Sequence, residues 1–202
     1  MYITTLLASA ARRLVGVSTL VALAAAPAIA QNVVTNPGFE SGGGSLTGFT
    51  VAADAPGLVT IGLGNNAHSG NAAAFLSSYT GTSQISQMLT TTAGQGYNIS
   101  FYAYNPGFAD DGPNNLSVLF GGQQVFGQAV NNSGYQLFTA FATASSNSSL
   151  FQIVVSNPAT FTQIDDISVS ASGTTTTPEP GSMALLGTGI VGLVPFARRR
   201  RK

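Results

Sequence analysis

The sequence predicts an all-β fold, an antiparallel β-sandwich of jelly-roll type, flanked by an N-terminal signal helix and a C-terminal transmembrane helix. Three observations predict it. Residues 32–170 run in short stretches of alternating apolar and polar side chains. Clusters of Gly, Asn, Pro and Ser interrupt those stretches about every ten residues. No long segment of the middle region carries a helical period, while both ends of the chain are apolar runs with arginines beside them.

Residues 1–30 read as a secretory signal. Arg12 and Arg13 precede an apolar run over 14–26, and Ala28 and Ala30 supply the small residues of a cleavage site that leaves Gln31 first. A run of about 13 residues is shorter than the roughly 20 that span a bilayer, which favours a cleaved signal over an uncleaved membrane helix. The arginine pair also suits twin-arginine export, but no cofactor motif here requires folding before export, so general secretion is the simpler route.

Within the middle region the clearest strand is 97–104. Tyr97, Ile99, Phe101 and Ala103 share one face, and Asn98, Ser100, Tyr102 and Tyr104 share the other. Residues 115–130 read as a hairpin, because Leu116, Val118 and Phe120 lead into Gly121-Gly122, a pair able to take positive φ, before the chain returns through Val125. Further strands fit 59–63, 72–76, 84–90, 135–143, 150–156 and 164–170. Some eight strands in about 140 residues suit a sandwich or jelly roll, with an open barrel as the structural alternative. The domain so defined is 31–170, followed by a small, polar linker at 171–177 that lacks the apolar surface to fold.

Residues 178–202 form a tail of three parts: Pro178-Glu179-Pro180, an uncharged, mostly apolar segment over 181–197, and the cluster Arg198, Arg199, Arg200, Arg201 and Lys202. As a helix the sixteen residues 182–197 reach about 24 Å, short of the roughly 30 Å hydrocarbon core. Gly181, Gly187, Gly189, Gly192 and Pro195 weaken the helix further. A transient stop therefore suits the segment better than a permanent anchor, with the basic cluster held on the cytoplasmic side. In this order the three parts resemble the PEP-CTERM sorting signal of Gram-negative bacteria. That resemblance implies recognition of Pro178-Glu179-Pro180 by a membrane-embedded cysteine protease of the exosortase type. It also implies a protein that is tethered transiently to the inner membrane, then sorted to the surface or the extracellular matrix, in association with exopolysaccharide or biofilm.

Charge and composition exclude several functions for 31–177. The segment has no lysine or arginine and six carboxylates, Glu40, Asp54, Asp110, Asp111, Asp165 and Asp166, so it cannot neutralise a phosphate backbone and is not expected to bind nucleic acid. Without cysteine there is neither a disulfide framework nor a thiolate metal site. His68 is the only histidine, lies in a Gly/Asn-rich stretch, and has no Gly-x-Ser-x-Gly elbow near it. The pairs Asp110-Asp111 and Asp165-Asp166 have the residue type of a glycosidase pair but read as loop and strand-end residues. Neither Gly42-Gly43-Gly44 nor Gly121-Gly122 opens a helix or meets a lysine, as a phosphate loop requires. No catalytic residue is assigned and no enzyme activity is expected.

Four segments carry a second resemblance: Asn36-Pro37-Gly38-Phe39-Glu40, His68-Ser69-Gly70-Asn71-Ala72-Ala73, 94–101, and Ile164-Asp165-Asp166-Ile167-Ser168-Val169. In order and spacing they are similar to the galactose-binding-like jelly-roll modules, which include many carbohydrate-binding modules. The resemblance implies a structural calcium where first and last strands meet, at Glu40 and Asp165. Carboxylates and carbonyls are the hard oxygens that calcium takes, though both residues also read as plain turn and strand residues. It further implies a sugar ligand, for which Tyr102 and Tyr104 are the candidate platform, with Tyr79, Phe108 and Tyr135 beside them and Asn105, Asn114 and Gln87 as hydrogen-bonding partners. The absence of Trp weakens this, and the same aromatics also fit sheet packing. Two readings follow: a non-enzymatic surface protein, or a carbohydrate-binding module proper, with a secreted polysaccharide hydrolase behind them.

Overall fold

A computed structural model describes residues 30–107, 114–130 and 133–173. Most of the signal helix, with Ala28, lies outside the described residues. So do Pro178, Glu179 and Pro180, the 181–197 helix and the 198–202 cluster, together with Phe108, Asp110 and Asp111. Among the described residues no helix is long and apolar enough to cross a membrane.

Among the described residues ten strands build two antiparallel five-stranded sheets: β1 (Thr50–Ala52), β2 (Val59–Leu63), β3 (Ala72–Leu76), β4 (Ser83–Thr90), β5 (Gly96–Tyr104), β6 (Asn115–Phe120), β7 (Gln123–Ala129), β8 (Gln136–Thr143), β9 (Ser148–Ser156) and β10 (Thr162–Ala171). One sheet has the order β1-β4-β9-β6-β7 and the other β2-β3-β10-β5-β8. The alternation that predicts strands also decides which face is buried. Tyr97, Ile99, Phe101 and Ala103 of β5 are buried, as are Phe151, Ile153 and Val155 of β9 and Leu116, Val118 and Phe120 of β6. These inner faces meet as one core, and each large side chain withdrawn from water contributes about 1.5–3 kcal/mol. The rings of Phe101, Phe126 and Phe138, with centroids 5.3–5.6 Å apart, tie β5 and β8 to β7 across the two sheets.

β1 is the strand that sequence pattern does not reveal. It has three residues, all exposed, and among the described residues it pairs with β4 alone. With no buried face it has no period to detect.

Below the short strand β3, the N-terminal residues take the place beside β10. Asn32 bridges Ser170, its Oδ1 accepts the Val34 and Val169 N–H groups, and its Nδ2 donates to the Ile167 carbonyl. Gln87 holds the strap from the other side: Oε1 accepts the Thr35 N–H at 2.7 Å, and Nε2 donates to the Thr35 and Gly48 carbonyls. The strap thereby delivers Val34 and Phe39 into the core. It meets β10 where the register against β5 shifts between Asp165 and Ser168, with Asp166 at φ 49°.

Candidate functional site

Each residue of Asn36-Pro37-Gly38-Phe39-Glu40 has a separate task at that meeting point. Asn36, at φ 56°, donates from Nδ2 to the Ser45 and Thr47 carbonyls and accepts the Ser41 N–H, so it folds the 36–47 loop around its own amide. The Pro37 carbonyl accepts the Ile167 N–H at 2.9 Å. A Cβ on Gly38 would stand 3.6 Å from Oδ1 of both Asp165 and Asp166. Phe39 takes φ 60°, a left-handed conformation costly for an aromatic, and is fully buried against Phe49 with centroids 5.3 Å apart. Burial of the ring holds the strained turn and aims Glu40 outward.

Glu40 and Asp165 then grip one loop, 64–71, from two sides. Glu40 Oε1 accepts the Asn71 and Ala72 N–H groups at 2.6 and 2.7 Å. Asp165 Oδ2 accepts the His68 and Ser69 N–H groups at 2.9 and 3.1 Å, and its Oδ1 accepts the Asp166 N–H at 2.7 Å. Asp165 is wholly inaccessible to solvent. Burial pushes its carboxyl above the ordinary range, against the pull of the Ser69 and Asp166 N–H groups, and the neighbouring Asp166 charge adds to the rise. The structure therefore brings Glu40 and Asp165 to one place. Glu40 Oε2 and one lone pair of Asp165 Oδ1 are left by these five N–H bonds. Among the described residues no set of three or more His, Cys, Asp and Glu side chains is arranged to hold a metal.

Ser69, His68 and Asp166 are the residue types of a catalytic triad, wired differently. His68 Nδ1 donates to Asp166 Oδ2 at 2.6 Å, and Ser69 Oγ donates to Asp166 Oδ1 at 2.7 Å. Serine and histidine thus share the carboxylate. A nucleophile would instead need its hydroxyl on the imidazole.

The aromatic residues lie on the outer face of the β2-β3-β10-β5-β8 sheet. The His68 ring stacks on Tyr102, with centroids 3.5 Å apart and planes at 15°, so one face of the Tyr102 ring is covered by the loop. Tyr135 meets His68 edge-on at 5.4 Å and Tyr104 at 5.7 Å. Its hydroxyl reaches the Asn66 carbonyl at 2.6 Å, with Gln163 Oε1 at 3.4 Å. Burial first, then the Asp165 and Asp166 charges and Tyr104, raise the Tyr135 hydroxyl above its usual range.

Along β8 the same face continues through Leu137, 54% exposed, Thr139, and Phe141, 58% exposed. The Phe141 ring lies over Gly96, where a Cβ would come within 2.6 Å of it, so its far side is turned to water. From Tyr135 to Phe141 the strip is about 20 Å long at 3.4 Å per residue. Asn98, Ser100 and Tyr102 of β5 flank it, paired with Phe141, Thr139 and Leu137.

Sequence pattern points to Tyr102, Tyr104 and Tyr135 but passes over Leu137 and Phe141. A period-two run does not say which of its two apolar sets is the inner one. Of the expected hydrogen-bonding partners, Gln87 is engaged inside, and Asn105 and Asn114 are buried. Tyr79 stands apart, 66% exposed, in a loop held by Asp54. Asp54 Oδ2 accepts the Tyr79, Thr80 and Gly81 N–H groups, and those bonds, Gly81 first, lower its carboxyl below the ordinary range.

The described residues thus define an all-β sandwich of two antiparallel five-stranded sheets, followed in the sequence by a sorting motif. Residues 176–202 match the PEP-CTERM protein-sorting motif, which implies export and membrane-associated processing. No curated protein matches the chain. Among solved structures, the TmCBM61 module in complex with β-1,4-galactotriose aligns at 20% identity over 70% of this chain and 99% of that one, with TM-score 0.50. The CBM22-1 xylan-binding domain of Paenibacillus barcinonensis Xyn10C aligns at 19% identity over 66% and 90%, also with TM-score 0.50. The enzymatically active domain of bacteriophage CBA120 tailspike protein 4 aligns at 14% identity and TM-score 0.54, over 70% of this chain but only 21% of the tailspike chain. At these identities the likeness is one of fold.

Proposed function

We propose that this is an exported, non-enzymatic protein whose β-sandwich binds a neutral polysaccharide of the cell surface or biofilm matrix, after its tail has been handed to an exosortase-type protease. The observation that carries the reading is the strip formed by solvent-facing Leu137 and Phe141 with half-buried Tyr135 at its end, beside Asn98, Ser100, Tyr102 and Tyr104. Apolar faces interleaved with amides and hydroxyls match a pyranose, which has apolar faces and a hydroxylated rim. Two structures of the same fold, a module in complex with β-1,4-galactotriose and a xylan-binding domain, support a glycan as the ligand class. A neutral glycan is favoured because residues 31–177 hold no lysine or arginine to pair with an acidic one. The shared use of Asp166 by Ser69 and His68 supports a binding role over hydrolysis.

The test is a glycan array followed by titration calorimetry on the exported protein. A neutral polysaccharide is expected to bind, and Phe141→Ala is expected to weaken it by about tenfold or more, as loss of an anchoring ring does. Binding that survives Phe141→Ala and Tyr104→Ala together would move the site off this face. No binding to any glycan would leave a surface protein without a lectin function.

Calcium is proposed as a reinforcement of the clasp, with Glu40 Oε2 and Asp165 Oδ1 as its carboxylate donors and backbone carbonyls completing the shell. Because backbone N–H groups already bind Glu40 Oε1 and both oxygens of Asp165, the domain is expected to fold without the ion.

For the sorting step, intact-mass analysis of protein recovered from the producing cell is expected to show Gln31 at the N-terminus and loss of the basic residues 198–202. A mass that retains Lys202 would make the tail an anchor.

A further inference from the structure

Four strands bound the two sheets, and three of them are blunted. β1 has three residues. β2 has five, with Gly62 among them. β7 shifts register against β6 between Val118 and Leu119 and contains Gly127. β8 differs on every count. Its eight residues keep unbroken register with β5 from Gly96↔Thr143 to Ala103↔Gln136, and they include no charge, proline or glycine. An edge of that length and regularity, left without a charge or a kink, is a template for another strand.

The side chains of β8 select which strand. We propose that β8 pairs antiparallel with β8 of a second copy of this chain, about a two-fold axis through Thr139, joining two five-stranded sheets into one of ten strands. In that register Leu137 on the outer face stands opposite Phe141 of the second copy, and Phe141 opposite Leu137. Thr139 meets Thr139, and on the inner face Phe138 meets the smaller Ala140. Apolar–aromatic and Thr–Thr pairs are the favourable cross-strand kinds. Moving the axis by one residue in either direction sets Leu137 opposite a threonine, at 139 or at 143, and loses the match. A foreign strand has no need of a sequence that complements itself about a two-fold axis, as an isologous contact does. β8 also carries no charge that would repel its own copy. The pairing leaves outer faces outward, so the two strips of Tyr135, Leu137 and Phe141 lie side by side across the seam.

Sedimentation velocity on the exported protein is expected to show a dimer. Thr139→Lys, at an exposed position, brings two like charges together and is expected to weaken the dimer by at least about tenfold. Because the chain has no cysteine, a single substitution also reads the register directly. Opposed Cα atoms in an antiparallel pair are about 4.5–5.5 Å apart, within disulfide reach, so Thr139→Cys is expected to give a disulfide-linked dimer on mild oxidation. Thr143→Cys, on the same face but about 27 Å from its symmetry mate at 3.4 Å per residue, is not. The proposal is overturned by a monomer at every concentration, by a Thr139→Lys protein that dimerises as before, or by equal cross-linking at 139 and 143.

Discussion

Asp165→Ala is expected to destabilise the domain by roughly 3–5 kcal/mol, because three part-buried backbone N–H groups lose the buried carboxylate that accepts them. Each orphaned donor costs about 1–3 kcal/mol, and for a domain of this size the total lowers Tm by on the order of 10–15 °C. Asp165→Asn separates the acceptor from the charge. Burial raises the Asp165 carboxyl, so the charge itself is a cost, and an amide oxygen still serves His68 and Ser69. Only the Asp166 N–H then faces an NH₂ group, and Asp165→Asn is expected to lose no more than about 1–2 kcal/mol. Thermal melts of the three proteins decide it: equal losses in the two variants would mean that the charge, not the acceptor, holds the loop. The same melts test calcium. A ligand present at about 100 times its Kd adds roughly 2.7 kcal/mol, so native protein is expected to melt several degrees higher in calcium than in chelator, and Asp165→Ala to show no difference. An unchanged native Tm removes calcium and leaves the amide clasp standing.

The sandwich was legible because its inner residues keep strict period two. Tyr97, Ile99, Phe101 and Ala103 are buried in alternation, and Leu116, Val118 and Phe120 turn at Gly121-Gly122 into β7. What was not legible depends on contacts far apart in sequence. Gln87 offers the pattern of a surface polar residue, yet its amide is committed to Thr35 and Gly48. Tyr102 is visible as an aromatic on the outer face, but that His68 lies on top of it follows from the Asp165 grip on a loop 97 residues away. Only the resemblance to galactose-binding-like modules singles out Glu40 and Asp165, as calcium ligands. Their acceptance of five backbone N–H groups could not be read, because amide direction is set by loop conformation and not by residue type.

The other half of the clasp turns on one glycine, and Gly70→Ala is expected to cost about 3 kcal/mol. Gly70 sits at φ 64°, where any side chain adds roughly 1 kcal/mol of strain. Its Cβ would also come within 2.3 Å of Glu40 Oε1 and 2.7 Å of Cδ. A glutamate tip can swing away, so the collision itself is cheap. What the swing breaks is not: the Asn71 and Ala72 N–H groups lose their acceptor, and Ala72 is fully buried, so water cannot replace it there. Gly94 supplies the control. At φ 79° it carries the same backbone penalty, but a Cβ there meets nothing within 4 Å, so Gly94→Ala is expected to cost only about 1 kcal/mol. In Glu40→Ala the acceptor is already gone, and adding Gly70→Ala should then cost no more than the backbone strain, a double-mutant coupling of about 2 kcal/mol. Additive losses in the double variant would show that Gly70 acts through backbone conformation alone, and that Glu40 does not hold the loop.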